Sequence, residues 1–140
     1  MRAYGLDEAA CRVFDGIVDA AGHFGRFRLP EVFGGYGKDE FPIPVRYPVA
    51  CHPQAWAAGS VPFMIESLLG LVPNAFERRL QIVRPILPRS IDCLELRGLR
   101  VGRSKVDIRF DRDEDRVATH VVKVEGELDV EVSQALPKAA

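Results

Sequence analysis

Apolar positions along the chain follow two different periods, and the change falls near Pro73. On the N-terminal side, Ala10, Val13, Phe14, Ile17, Val18 and Ala21 recur at helical spacing and form one stripe, which predicts an amphipathic helix over Asp7–Gly22. Asp7 is placed to cap that helix, Glu8 suits the positive end of its dipole, and Gly22 can end it. From Gly25 to Pro53 the periodicity stops. Prolines at 30, 42, 44, 48 and 53 and glycines at 34, 35 and 37 exclude a helix. The same stretch carries Phe27, Phe33, Tyr36, Phe41 and Tyr47, so this long loop is expected to pack against something. A second helix is predicted to start near Pro53, since proline in the first turn loses no intrahelical bond, and to end near Gly70. Pro62 lies inside it and is expected to kink it.

Beyond Pro73 the spacing turns to two. Leu80–Val83 reads as a short strand, and Leu94-Glu95-Leu96-Arg97 opens an alternating run. Val106, Ile108 and Phe110 alternate with Lys105, Asp107 and Arg109, and Leu128, Val130 and Val132 alternate with Glu127, Asp129 and Glu131. This is the pattern of half-buried antiparallel strands. Gly102-Arg103-Ser104 and Asp113-Glu114-Asp115 are the natural hairpin turns. The expected fold class is α+β. Residues 1–73 form a helical part with a long loop, 74–134 a single antiparallel sheet of about four to six strands, and 135–140 a disordered tail. Val106, Ile108, Phe110, Leu128, Val130 and Val132 are expected on one buried face of that sheet.

Composition narrows the function classes. Apolar residues make up 47% and charged residues 28%, which is globular rather than disordered. The 19 basic and 20 acidic residues nearly cancel, so neither nucleic acid nor an anionic membrane is indicated as a partner. Met1–Asp7 lacks the apolar segment of a secretory signal, and the most apolar window, Ala55–Val72, is broken by Gly59, Ser60, Pro62 and Glu66. Cys11, Cys51 and Cys93 are far apart and odd in number, which argues against a disulfide framework or a zinc site. A reducing, cytoplasmic setting without metal or cofactor is expected.

Two places carry candidate chemistry. Glu31 sits among Leu29, Pro30, Val32 and Phe33, surroundings expected to raise its pKa and suit it to proton transfer. A surface-loop or helix-capping glutamate is the alternative. Asp39 and Glu40, beside Lys38, read as a solvated tip. Gln54 and Trp56 lie at the start of the second helix, where an amide and an indole together suit a sugar; alternatively Trp56 is a core residue. Cys51 and His52 are adjacent and do not suggest a thiolate pair, and no Ser or Asp is placed for a hydrolytic triad.

Leu29-Pro30-Glu31-Val32-Phe33-Gly34-Gly35 and the stretch Tyr47–Gly59 resemble the C-terminal end of the amylo-α-1,6-glucosidase family, the glucosidase domains related to the C-terminal half of glycogen debranching enzyme. Leu94–Gly102 is similar to that family's bacterial members, and the resemblance runs from about Tyr4 to about Phe110. It implies that the two helices are the last two of an (α/α)6-barrel glycoside hydrolase, followed by a β-tail. It also implies that Glu31 matches the catalytic general base, with Phe33, Tyr47, Gln54 and Trp56 binding substrate. His52 departs from the small residue expected at its position.

Hydrolysis by inversion needs a second carboxylate, standing roughly 6.5–9.5 Å from the first. In the family that acid is an Asp far upstream of the Glu31 motif. The chain is therefore expected to be a fragment, subunit or excised domain that supplies the base and is inactive alone on an oligosaccharide or glucan. Apolar surface meant for the missing barrel should be exposed, or hidden in a homo-oligomer. The alternative is a non-catalytic module that binds carbohydrate or self-associates.

Overall fold

The computed structural model describes residues 4–114 and 116–134 and shows an α+β chain. Among the described residues, helix α1 (Asp7–Gly22) and helix α2 (Ala55–Leu69) come first, separated by a loop with a single 3-10 turn at Gly25–Phe27. Six strands follow: β1 (Leu71–Asn74), β2 (Arg79–Val83), β3 (Cys93–Val101), β4 (Ser104–Asp113), β5 (Arg116–Glu125) and β6 (Asp129–Ser133). The anticipated turn residue Asp115 and the tail 135–140 lie outside the described residues. No helix among the described residues is long and apolar enough to cross a membrane.

Helix α1 occupies the predicted range but starts differently. Leu6 is its N-cap and no side chain caps it, while Asp7 sits in the first turn and accepts a hydrogen bond from Arg84 at 2.6 Å. Ser90 likewise donates to Asp15 at 2.6 Å, so the polar edge of α1 is tied to the segment following β2. The apolar stripe buries Phe14 and Ala21 but leaves Val13 and Val18 exposed. Helix α2 is capped by Gln54, whose side chain accepts from the Ala55 N–H, and it ends at Gly70 in the left-handed region (φ 63°). A Cβ on Gly70 would lie 2.0 Å from the carbonyl oxygen of Val83, so glycine is demanded by both backbone angle and space.

The strands make two three-stranded sheets, ordered β1-β2-β6 and β3-β4-β5. In β4 the period of two holds: Val106, Ile108 and Phe110 are fully buried, whereas Lys105 and Arg109 are exposed. Leu128, Val130 and Val132 do not join that sheet, contrary to expectation. Strand β6 runs parallel to β2 instead, with Leu80 opposite Val130 and Ile82 opposite Val132. The chain leaves the first sheet at the end of β5. Gly126, at φ 90°, packs against Ser104, where a Cβ would come within 2.8 Å of the hydroxyl. The Ser104 hydroxyl donates to the Glu127 carbonyl at 2.8 Å. Strand β1 was not anticipated, because Leu71-Val72-Pro73-Asn74 has no alternation. Its place at a sheet edge, paired only with β2, lets it tolerate the N–H that Pro73 lacks.

The main core lies between the sheets. Leu80 and Ile82 of one meet Val101, Val106, Ile108 and Phe110 of the other, and Leu69 enters from the end of α2. A smaller cluster of Ala20, Ala21, Leu29 and Ala57 joins the two helices, and it positions the site.

Candidate active site around Glu31

Leu29 and Pro30 are buried, Leu29 in the small cluster where α1 meets α2, and they anchor the backbone that presents Glu31. Beyond Glu31 the loop folds back on itself as an arm. The Gly34 N–H donates to the Val45 carbonyl at 2.7 Å, the Tyr47 N–H donates to the Val32 carbonyl at 3.0 Å, and Phe33 bridges to Arg46. Phe33 also stacks at a tilt on Phe24 (5.9 Å between centroids), and Tyr36 on Phe41 (4.7 Å). Two aromatic pairs thus form within the loop, while Phe27 and Tyr47 stay exposed, contrary to the packing expected of them. Asp39 and Glu40 occupy the exposed turn at the tip of the arm.

The turn after Tyr47, closed by the Ala50 N–H on the Tyr47 carbonyl, returns the chain to Glu31. There the Cys51 N–H donates to Glu31 Oε2 at 2.7 Å and Gln54 Nε2 donates to Oε1 at 3.3 Å. The other end of the Gln54 amide, Oε1, accepts the Ala55 N–H at 2.9 Å. Each carboxylate oxygen has its own donor.

These contacts reverse the expected electrostatics. The Glu31 carboxyl is held below its ordinary range, chiefly by the Cys51 N–H and then by the Gln54 amide; desolvation opposes them, and the Cys51 thiol adds to the lowering. The apolar neighbours that suggested a raised value do not enclose the carboxylate: Val32, next to it in the chain, is 46% exposed. All the groups that stabilise the charge are neutral, and no cationic side chain among the described residues contributes. In return, the Cys51 thiol is pushed up by its hydrogen bond to Glu31 and by the carboxylate's charge.

Of the residues singled out from sequence, Glu31 and Gln54 are in direct contact. Phe33 and Tyr47 stand on opposite sides of the arm, Phe33 partly buried and Tyr47 exposed. Trp56 lies in the first turn of α2 and is 61% exposed, so its reading as a core residue falls. His52 is exposed and precedes Pro53 across a cis peptide bond. Sequence reasoning missed Cys51, considered there only as a nucleophile. Its backbone N–H carries the strongest contact to Glu31, and no side-chain pattern announces a backbone donor.

Beside this centre runs an open groove of about 660 Å³ between the two helices. Val18, Ala21, Leu29, Ala57 and Val61 line it with Gln54, and Arg28 is its one charged residue. Among the described residues no three His, Cys, Asp or Glu side chains gather as a metal site. No family model, no curated protein and no solved structure matches this chain.

Proposed function

We propose that this chain is the C-terminal part of a glycoside hydrolase acting on α-glucosidic bonds, with Glu31 as the general base. On this reading α1 and α2 are the last two helices of an (α/α)6 barrel, and the remaining barrel covers Val13, Val18, Trp56 and Phe63. The resemblance of Leu29–Gly35 and Tyr47–Gly59 to the amylo-α-1,6-glucosidase family supports it. The observation that carries it is the setting of Glu31. Two neutral donors orient this carboxylate without pairing it to a cation, so it is free to accept a proton from water, although its lowered pKa makes it a weaker base than its apolar flanks suggested. Phe33, Tyr47, Gln54 and Trp56 would meet the sugar. The second carboxylate would come from the rest of the barrel, across roughly 6.5–9.5 Å. The substrate is an oligosaccharide or glucan in the cytoplasm, with no cofactor, nucleic acid or membrane involved.

A second reading, a non-catalytic module that binds carbohydrate or self-associates, is favoured by the exposed Trp56 and Phe63. Trp56 is the chain's one tryptophan, so its fluorescence reports on the site directly. Maltotriose or isomaltose should change that fluorescence saturably, while the chain alone releases no glucose. No saturable response with either sugar would sink both carbohydrate readings. Glucose release by the chain alone, abolished in Glu31→Gln, would refute the claim that the acid is absent. Adding a polypeptide that carries the remaining barrel should restore hydrolysis under the first reading and leave it absent under the second.

A further inference from the structure

We propose that Gln54 is a positioning residue that couples the orientation and charge of Glu31 to the start of α2. The inference rests, for its functional meaning, on the reading of Glu31 as a base. A primary amide has one accepting end and one donating end. At Gln54 the accepting end takes the Ala55 N–H, one of the orphan donors at a helix N-terminus. The amide is thereby oriented. Flipped over, it would set its NH2 against the Ala55 N–H and its carbonyl against a carboxylate, losing both hydrogen bonds. With Oε1 committed to the helix, Nε2 faces Glu31 and donates to it at 3.3 Å. Glu31 Oε2 is held separately by the Cys51 N–H at 2.7 Å, so the carboxylate cannot rotate without giving up one donor.

This chain of contacts places a negative charge one amide removed from the positive end of α2's dipole. It also explains why a glutamine rather than a commoner capping residue stands at the N-cap. Asn, Ser or Asp could cap α2 through the next backbone N–H groups, but their side chains are too short to reach Glu31 as well. Of the titratable groups on the surrounding segments, Cys51 touches Glu31 through its thiol. Arg28, Arg46 and His52 have no bond to it among the described residues.

The test follows the Glu31 carboxylate carbon by 13C NMR against pH in the parent chain and in Gln54→Met and Gln54→Asn. Methionine keeps the bulk and removes both ends of the relay, whereas asparagine keeps the cap and loses the reach. Both substitutions should raise the Glu31 midpoint by about half a pH unit or more. Thermal stability should fall clearly in the Met variant and little in the Asn variant. An unchanged midpoint in both variants overturns the inference. A shift in the Met variant alone also overturns it, because the effect then traces to the lost cap. A midpoint that follows Gln54 in a chain whose Trp56 ignores sugar would leave the relay standing and sink the hydrolase reading.

Discussion

The two halves of this chain bury different kinds of side chain. Between the sheets, Leu80, Ile82, Val106, Ile108 and Phe110 are each at most 1% exposed, and every one is large. Between the helices the shared cluster is built mainly of alanines, Ala20, Ala21 and Ala57, with Leu29. At about 25 cal/mol per Å² of apolar surface removed from water, a methyl group contributes far less than a leucine or phenylalanine side chain. The large apolar groups Val13, Val18, Trp56 and Phe63 of the helices are 43–69% exposed, Val18 at the groove between them. What attaches α1 to the rest is partly polar: Asp7 on Arg84 and Asp15 on Ser90. The sheets therefore cover themselves, whereas the helices leave large apolar side chains in solvent.

The sharpest way to break this comparison is a pair of truncations. Phe110→Ala should cost about 3–5 kcal/mol in urea unfolding, from lost burial and the cavity left behind. Phe63→Ala should stay within about 0.5 kcal/mol, since the ring is already in solvent. Equal losses would mean that the halves are not different in kind. Next in size is Arg112, whose guanidinium donates to the carbonyls of Leu87, Pro88 and Ile91 and so pins the segment between β2 and β3. Arg112→Ala should cost about 1–3 kcal/mol by orphaning partly buried carbonyls. Arg109→Ala, on the same strand but paired with Asp111 on the exposed face, should cost much less in the same assay.

Association tests the uncovered face. Sedimentation of the parent chain should show self-association and dye binding, and Trp56→Ser with Phe63→Ser should weaken both several-fold. A compact monomer that binds no apolar dye would show that these helices need no partner. The smallest expected effects concern charge. Glu31 and Asp111 both titrate below their ordinary range in the folded chain, Asp111 chiefly through its hydrogen bonds from Arg109. The folded state then binds fewer protons than the unfolded state. The stability these groups contribute is fully present above the ordinary carboxylate range near about pH 4, and it is lost as pH falls through their lowered values. Glu31→Gln should flatten that acid limb. It should also speed iodoacetamide alkylation of Cys51 a few-fold at neutral pH, since the carboxylate is what pushes the thiol up. An unaltered alkylation rate would place the carboxylate out of reach of the thiol.

Much of the architecture was legible in the spacing of apolar residues. The stripe on α1 and the buried row Val106, Ile108, Phe110 follow from periods of 3.6 and two, while Pro53 and Gly70 bracketed α2, which begins at Ala55, two residues after the proline expected in its first turn. A period states which side of a strand is apolar and does not name its neighbour. Val130 was accordingly read onto the sheet of Phe110, when it lies beside Leu80 in the opposite sheet. At the site, sequence proximity pointed to Glu31 and to Gln54 separately, and the structure joins them over 23 residues. The direction of the Glu31 shift was not legible for the same reason. Its flanking residues are apolar, but the decisive donor is a backbone N–H 20 residues further on.

Gly70 gives the sheets a mechanical role in the site. Because that glycine is pressed against the Val83 carbonyl, α2 stops at one position, and the direction in which it leaves the sheets is set there. The helix runs 15 residues from that point back to Gln54. At 1.5 Å per residue this is a lever arm of about 22 Å, so a tilt of about 5° at the pivot moves the far end by about 2 Å. Gly70 and Val83 thus fix the sheet-side end of the helix whose other end carries Gln54.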